Sequence, residues 1–218
     1  MVKKFNDEAN AVLDGIIAAR RTIRAFSPEV PPREAIEQLV KAGLQAPYAA
    51  LAVAGRDDFR RFLVFTQGTP AMAEAGRLIQ QAVRRRLEEA LLARDRAPVP
   101  GDPGFAYLDR MKGLAENGHP SLRTAPYFIV VAEYQGFPPV GLQSLAHTLE
   151  NMWLKAAALG LAFQLVSVTE SMAEDKEFVR LLGLPSGGFV LDGCVVGYPA
   201  ADPPPVKRPD MNSVTKWL

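Results

Sequence analysis

Cysteine is almost missing from this 218-residue chain: Cys194 stands alone, so no internal disulfide can form and a disulfide-stapled secreted scaffold is excluded. Histidine is nearly as scarce. His119 and His147 lie far apart in an otherwise His-free sequence, so neither a zinc site nor a Cys/His dyad is expected, and His147 reads as a packed or partly exposed helix residue. Excess charge is also absent: 25 Lys and Arg against 24 Asp and Glu give no electrostatic reason to expect nucleic acid or an anionic membrane. Any anion site must be local. No G-x-G-x-x-G follows a strand pattern and no G-x-x-x-x-G-K-[ST] occurs, which removes the standard dinucleotide and nucleoside triphosphate sites. No apolar run approaches a membrane span, and the first residues, through Glu8, carry no signal-peptide apolar region. The expectation is a cytoplasmic protein with 48% hydrophobic residues, enough to bury one core, folded as a single domain over residues 1–218.

What is present centres on Val140 to Ser167. At about 100° per residue, Leu142, Leu145, Ala146, Leu149, Met152, Trp153, Ala156, Ala157 and Leu159 share one apolar arc of a helix. Gln143, Ser144, His147, Thr148, Glu150, Asn151 and Lys155 share the polar one. Leu154 and Ala158 invade that polar arc, the pattern of a helix covered on several sides. Gly160 ends the helix, and Leu161 to Val168 follows as a strand. The same periodicities predict helices over Asp14 to Arg21, Arg33 to Leu44, Thr69 to Arg96 and Ala173 to Leu182, with a short one around Phe105 to Met111. Strands are predicted over Arg61 to Phe65, Ala125 to Ala132 and Phe189 to Tyr198, the second covered on both faces because it has almost no polar residue. The proline-rich tail from Pro199 has little core of its own and needs a surface to lie on.

Arg20-Arg21-Thr22-Ile23-Arg24-Ala25-Phe26 is the one local anion candidate. Guanidinium forks and a hydroxyl at a chain turn can close on a phosphate dianion, although surface ion pairing with Asp or Glu is the commoner use of such arginines. The run Arg84 to Arg86 reads as a solvated helix face, and an interaction protein using that face is a distant alternative.

In order along the chain, this arginine segment, a helix, the Ala46-Pro47 loop and a strand resemble the opening of the FMN-dependent nitroreductase family. The similarity continues through Ala125-Pro126 before an apolar strand, Asn151 to Leu161, Leu181 to Pro185, Gly197-Tyr198-Pro199 and a proline-rich tail with Lys207-Arg208-Pro209. The resemblance implies an α+β fold with a central mixed sheet of about four strands flanked by helices, and an intertwined homodimer with FMN at the interface. It implies that Arg20, Arg21, Thr22 and Arg24 hold the phosphate and ribityl end of FMN, helped by Lys207 or Arg208. Thr169, Glu170 and Ser171 would lie near the flavin ring, and Pro47, Tyr48 and Ala49 would come from the other subunit. Residues 69–120 match a variable helical excursion, a candidate lid. The implied activity is hydride transfer from NADH or NADPH through FMN to a nitro compound, quinone or similar acceptor by ping-pong kinetics, with flavin N5 and no side chain as the reacting centre. A dehalogenase or dehydrogenase on the same scaffold is an alternative. So is a flavin-binding or flavin-delivery protein without turnover, because Tyr48 to Gly55 lacks the Asn, Gln and Trp that the family pattern carries there.

Overall fold

Two strands with scarcely a polar residue carry the fold. The computed structural model describes residues 3–93, 99, 101 and 104–218. In it β1 (Arg60–Thr66), β2 (Tyr127–Tyr134), β3 (Ala162–Leu165) and β4 (Phe189–Gly197) form one sheet in the order β1-β2-β4-β3. All neighbouring strands run antiparallel, with Val64 opposite Ile129, Ile129 opposite Cys194 and Gln164 opposite Val195. The mixed character expected of the sheet rests on one isolated parallel bridge among the described residues, Thr22 to Phe163. Hydrophobic periodicity identifies strands but carries no signal for their direction.

β2 and β4 occupy the middle, which explains why both faces of β2 are apolar. Phe128, Val130 and Ala132 pack on one side with Ala75, Leu78, Ile79 and Ala82 of α3 (Pro70–Leu92) and with Phe178 of α7 (Lys176–Leu181). On the other, Ile129 and Val131 meet Ile36 and Leu39 of α2 (Arg33–Leu44) and Leu145, Leu149, Met152 and Ala156 of α6 (Gly141–Ala158). Burying a side chain of this size stabilises the fold by about 1.5–3 kcal/mol, and these two clusters supply most of the core.

Local chemistry sets the helix ends. Thr69 accepts a hydrogen bond from Met72 N–H and precedes Pro70, so α3 begins with a capped first turn. α6 stops at Gly160, whose φ of 68° is left-handed, while Leu161 N–H reaches back to Ala156 O and Gly160 N–H to Ala157 O. α7 starts later than expected because Asp175 accepts from both Glu177 and Phe178 N–H. α4 (Phe105–Asn117) runs further than its apolar spacing suggested, until Gly118, and a short α5 (Pro120–Thr124) follows where no element was predicted. The strand expected over Leu161 to Val168 ends at Leu165, because the chain then winds into a 3-10 turn over Ser167–Met172. α3 ends at Leu92, and the expected continuation through residues 94–96 lies outside the described residues.

The central helix is rotated from its expected setting. Ser144 and Thr148, read as polar-arc residues, are buried, whereas Leu142 is 52% exposed. The reason is a buried ion pair beneath the helix: Arg60 and Glu133 have side chains only 2% exposed, and the two hydroxyls bond to them. α1 (Asp7–Ala19) buries no residue, and residues 200–218, including α8 (Met211–Val214), are exposed throughout. No helix among the described residues is long and apolar enough to cross a membrane.

Candidate functional site

Residues 20–27 reach the sheet edge through backbone pairing rather than through a strand of their own. Ile23 N–H donates to Phe163 O, Ser27 N–H donates to Tyr198 O, and the Trp153 indole donates to Arg21 O. Ser121 then fixes the next turn, since its hydroxyl lies within bonding distance of both Arg24 O and the Gln164 side-chain oxygen. Thr22 and Arg24 are thereby held beside the end of β3.

A cavity of about 360 Å³ opens at this point. Its floor is Gln164 to Val168, and Trp153, stacked on Phe163 at 5.1 Å, forms a flat side. The remaining wall comes from the helical excursion. Val83 and Arg86 project from one face of α3, and Tyr107, Arg110, Met111 and Leu114 from one face of α4, at the i, i+3, i+4, i+7 spacing of a single helical stripe. Arg24, Arg86 and Arg110 make no side-chain hydrogen bond or ion pair with any described residue, and no carboxylate of the described residues lines the cavity.

The expected residues divide. Thr22 and Arg24 line the cavity; Arg20 and Arg21 do not. Arg20 pairs with Glu150 at 3.3 Å and lies over the Trp153 ring, while Arg21 donates to the carbonyls of Ala18 and Arg20 at the end of α1. The 3-10 turn touches the cavity through Ser167 and Val168. Thr169 is buried behind it with its hydroxyl near Val166 O and Asp192, and Glu170 and Ser171 are exposed. Pro47, Tyr48 and Ala49 are exposed elsewhere on the chain, with the Tyr48 ring 4.2 Å from Phe59. Their loop is pinned where Phe137 N–H donates to Ala52 O, a contact so close that a Cβ on Gly136 would fall 1.7 Å from that carbonyl oxygen. Lys207 and Arg208 lie on the exposed tail.

Arg86, Arg110, Tyr107 and His119 carry no sequence signal for this site. The run Arg84 to Arg86 is not one solvated face: Arg84 donates to Ala115 O, Arg85 pairs with Asp175 at 2.6 Å, and Arg86 enters the cavity. Successive helix positions differ by about 100°, so three adjacent arginines must point three ways.

His119 forms part of the cavity wall and also lines a neighbouring cavity of about 580 Å³. It is only 8% exposed and its Nδ1 has no hydrogen-bond partner among the described residues. Burial, with the charges of Arg110 and Arg24 behind it, pushes its pKa down to about 4, so the imidazole is neutral at pH 7. Asp192 shows the opposite effect. Burial raises its pKa to about 6 despite the Gly193 N–H and Thr169 hydroxyl, with a smaller upward push from Glu170. Cys194 is fully buried and burial raises its thiol well above the usual range, which makes it unreactive. No group of three metal-ligating side chains occurs among the described residues.

These two groups tilt stability in opposite directions. His119 has a folded pKa below its ordinary value, so its contribution is full above about pH 6.5 and about 3 kcal/mol is lost as pH falls toward 4. Asp192 has a folded pKa above its ordinary value, so acidification from about pH 6 to 4 regains about 3 kcal/mol. The expected result is a nearly flat wild-type profile between these limits. Urea unfolding across the window checks it: Asp192→Asn should lose stability on acidification, and His119→Gln should gain it. Parallel profiles for both variants and the wild type would refute the assignment.

A sequence profile described as the Nitroreductase family matches residues 17–198. The fold is shared with a nitroreductase with bound FMN from Bacteroides fragilis (TM-score 0.70, 19% identity, 98% of this chain and 100% of that one). It is shared also with an iodotyrosine deiodinase bound to FMN and 3-iodo-L-tyrosine (TM-score 0.68, 20% identity, 94% and 98%). A BluB-like flavoprotein from Clostridium difficile is similar as well (TM-score 0.70, 18% identity, 94% and 98%). No curated protein matches. An antiparallel four-stranded sheet between helical layers, with a basic cavity where residues 20–27 cross the sheet edge, is thus the nitroreductase fold. The profile match spans most of the sequence, and the chain belongs to the Nitroreductase family.

Proposed function

We propose that this chain is an FMN-dependent oxidoreductase that works as a homodimer, taking a hydride from NADH or NADPH and passing it to an electron-poor acceptor such as a nitro compound or quinone. The observation that carries this reading is the cavity at Thr22 and Arg24, where guanidinium groups without a partner among the described residues, a hydroxyl and a flat indole meet. That lining fits a flavin mononucleotide: a dianionic phosphate calls for cationic forks and hydroxyl donors, and an aromatic ring calls for a flat apolar wall. FMN, when bound, supplies the hydride-accepting centre at N5, chemistry that no side chain of this cavity offers.

The chain's own residues then bind, orient and exclude water. Thr22 and Arg24 hold the phosphate and ribityl end. Arg20 joins them by leaving its partly buried pair with Glu150 and its place over the Trp153 ring, and Arg21 turns from the carbonyls at the end of α1. Lys207 and Arg208 return from the tail. Ser167 and Val168, with the backbone of the turn through Thr169, Glu170 and Ser171, lie beside the ring. Pro47, Tyr48 and Ala49 reach the site of a second subunit, which accounts for their exposure in one chain. Dimerisation would also cover Val12, Leu13 and Ile17 of α1, Leu142 of α6, and Trp217 of the tail, all exposed here. Donor and acceptor use the one pocket in turn, because the sequence carries no second nucleotide-binding motif.

A second reading, flavin binding or delivery without turnover, is favoured by one observation: Tyr48 to Gly55 lacks the family's polar and indole side chains. Purified protein separates the two. The oxidoreductase is yellow, releases FMN on denaturation, loses its colour anaerobically with NADH or NADPH, and gives parallel double-reciprocal plots. Arg24→Ala should weaken FMN binding at least about tenfold, the value of one charge-assisted contact. Colour without bleaching leaves only the storage reading, and colourless protein that takes up no FMN ends both.

A further inference from the structure

The cavity holds more positive charge than a phosphate at Thr22 and Arg24 requires. Arg86 from α3 and Arg110 from α4 enter it from helices that contribute nothing to the segment 20–27, and neither is neutralised by any described residue. Two such guanidinium groups on adjoining helices repel each other, and a shared anion turns that repulsion into bidentate pairing. The two arginines share their wall with the Tyr107 ring on α4, half exposed, and the cavity also contains the Trp153 indole. No acidic side chain of the described lining competes: His119, between the cavities, is a neutral imidazole held in that state by burial and by Arg110 and Arg24 themselves. A ligand suited to this wall is flat and carries one carboxylate.

Resting on the flavin reading above, we propose that Arg86 and Arg110 form a carboxylate subsite and that the acceptors this protein selects are aromatic carboxylates rather than neutral aromatics. Arg24 and Thr22 serve the cofactor; Arg86 and Arg110 serve the acceptor. The helical excursion over residues 69–120 is then the part of the chain that sets acceptor class, since it brings both arginines and Tyr107 to the cavity.

Calorimetric and absorbance titration of the FMN-loaded protein with benzoate and with benzyl alcohol, rings of equal size that differ in charge, tests this. Benzoate should bind at least about tenfold more tightly than benzyl alcohol, and its affinity should fall as salt rises. Arg86→Gln and Arg110→Gln should each weaken benzoate about tenfold and leave benzyl alcohol binding unaltered, while the corresponding Lys variants retain an intermediate affinity. Neither side chain bonds to a described residue, so the variants should fold. FMN affinity is measured alongside. Equal binding of the two probes overturns the proposal, as do Gln variants that lose FMN, which would assign both arginines to the cofactor and leave the flavin reading intact. Wild-type protein that takes up no FMN strikes the flavin reading itself; benzoate added to that apoprotein then decides the subsite separately.

Discussion

Glu133→Gln should lower the unfolding free energy by about 3–5 kcal/mol, a large share of the 5–15 kcal/mol that holds a typical domain together. Arg60 and Glu133 face each other from β1 and β2, each side chain 2% exposed. Arg60 also donates to the carbonyls of Gly43 and Ala46 at the end of α2 and to the Ser144 hydroxyl of α6. Thr148 lies 3.0 Å from the Glu133 carboxylate. One guanidinium therefore ties two strands to two helices, and neutralising its partner leaves a buried charge without compensation. Replacing both residues by apolar ones of similar volume removes that charge as well, so Arg60→Met with Glu133→Leu should be far milder than either single change. Urea unfolding of the singles and the double at pH 7 measures the coupling. A Glu133→Gln loss below about 1 kcal/mol would mean that solvent reaches the pair, contrary to its burial. Ser144 further contacts Pro47 O, so the same variant should loosen the Pro47 to Ala49 loop and with it whatever that loop contributes to a second subunit.

For the homodimer proposed above, removing Pro203 to Leu218 should give monomers at micromolar concentration and weaken FMN binding by about a hundredfold. The tail buries none of its residues within its own chain: Trp217 is 87% exposed, and Val206, Met211 and Val214 are exposed beside it. Apolar side chains in a segment this long have reason to persist only if another surface covers them, and a second copy of the chain is the partner the proposed function requires. The truncation also deletes Lys207 and Arg208, and a phosphate deprived of two charge-assisted hydrogen bonds accounts for the affinity change. Lys207→Ala with Arg208→Ala separates the two effects, since it should weaken FMN binding while sedimentation still reports a dimer. A truncated protein that sediments as a flavin-loaded dimer would show that the tail serves neither role.

Residue order alone was enough for the four strands, the longer helices and the family. α2 is bounded by Pro32 and the Gln45 turn, α3 by the Thr69 cap, and α6 by Gly160, each a signal carried within a few residues of the helix end. β2 announced its double-sided burial by having almost no polar residue. Thr22 and Arg24 were singled out because the helix, arginine segment, helix and Ala-Pro loop occur in the family's order, and both line the cavity. Only the tertiary structure brought Arg86, Arg110 and His119 to those two residues, turned Arg20 and Arg21 away, and set Ser144 and Thr148 against a buried ion pair. The physical reason is the same in each case. Periodicity and capping report angles around one element and the chemistry of its ends, which are local quantities. Which charge meets which is decided by strand register and helix packing, through contacts between residues far apart in the chain.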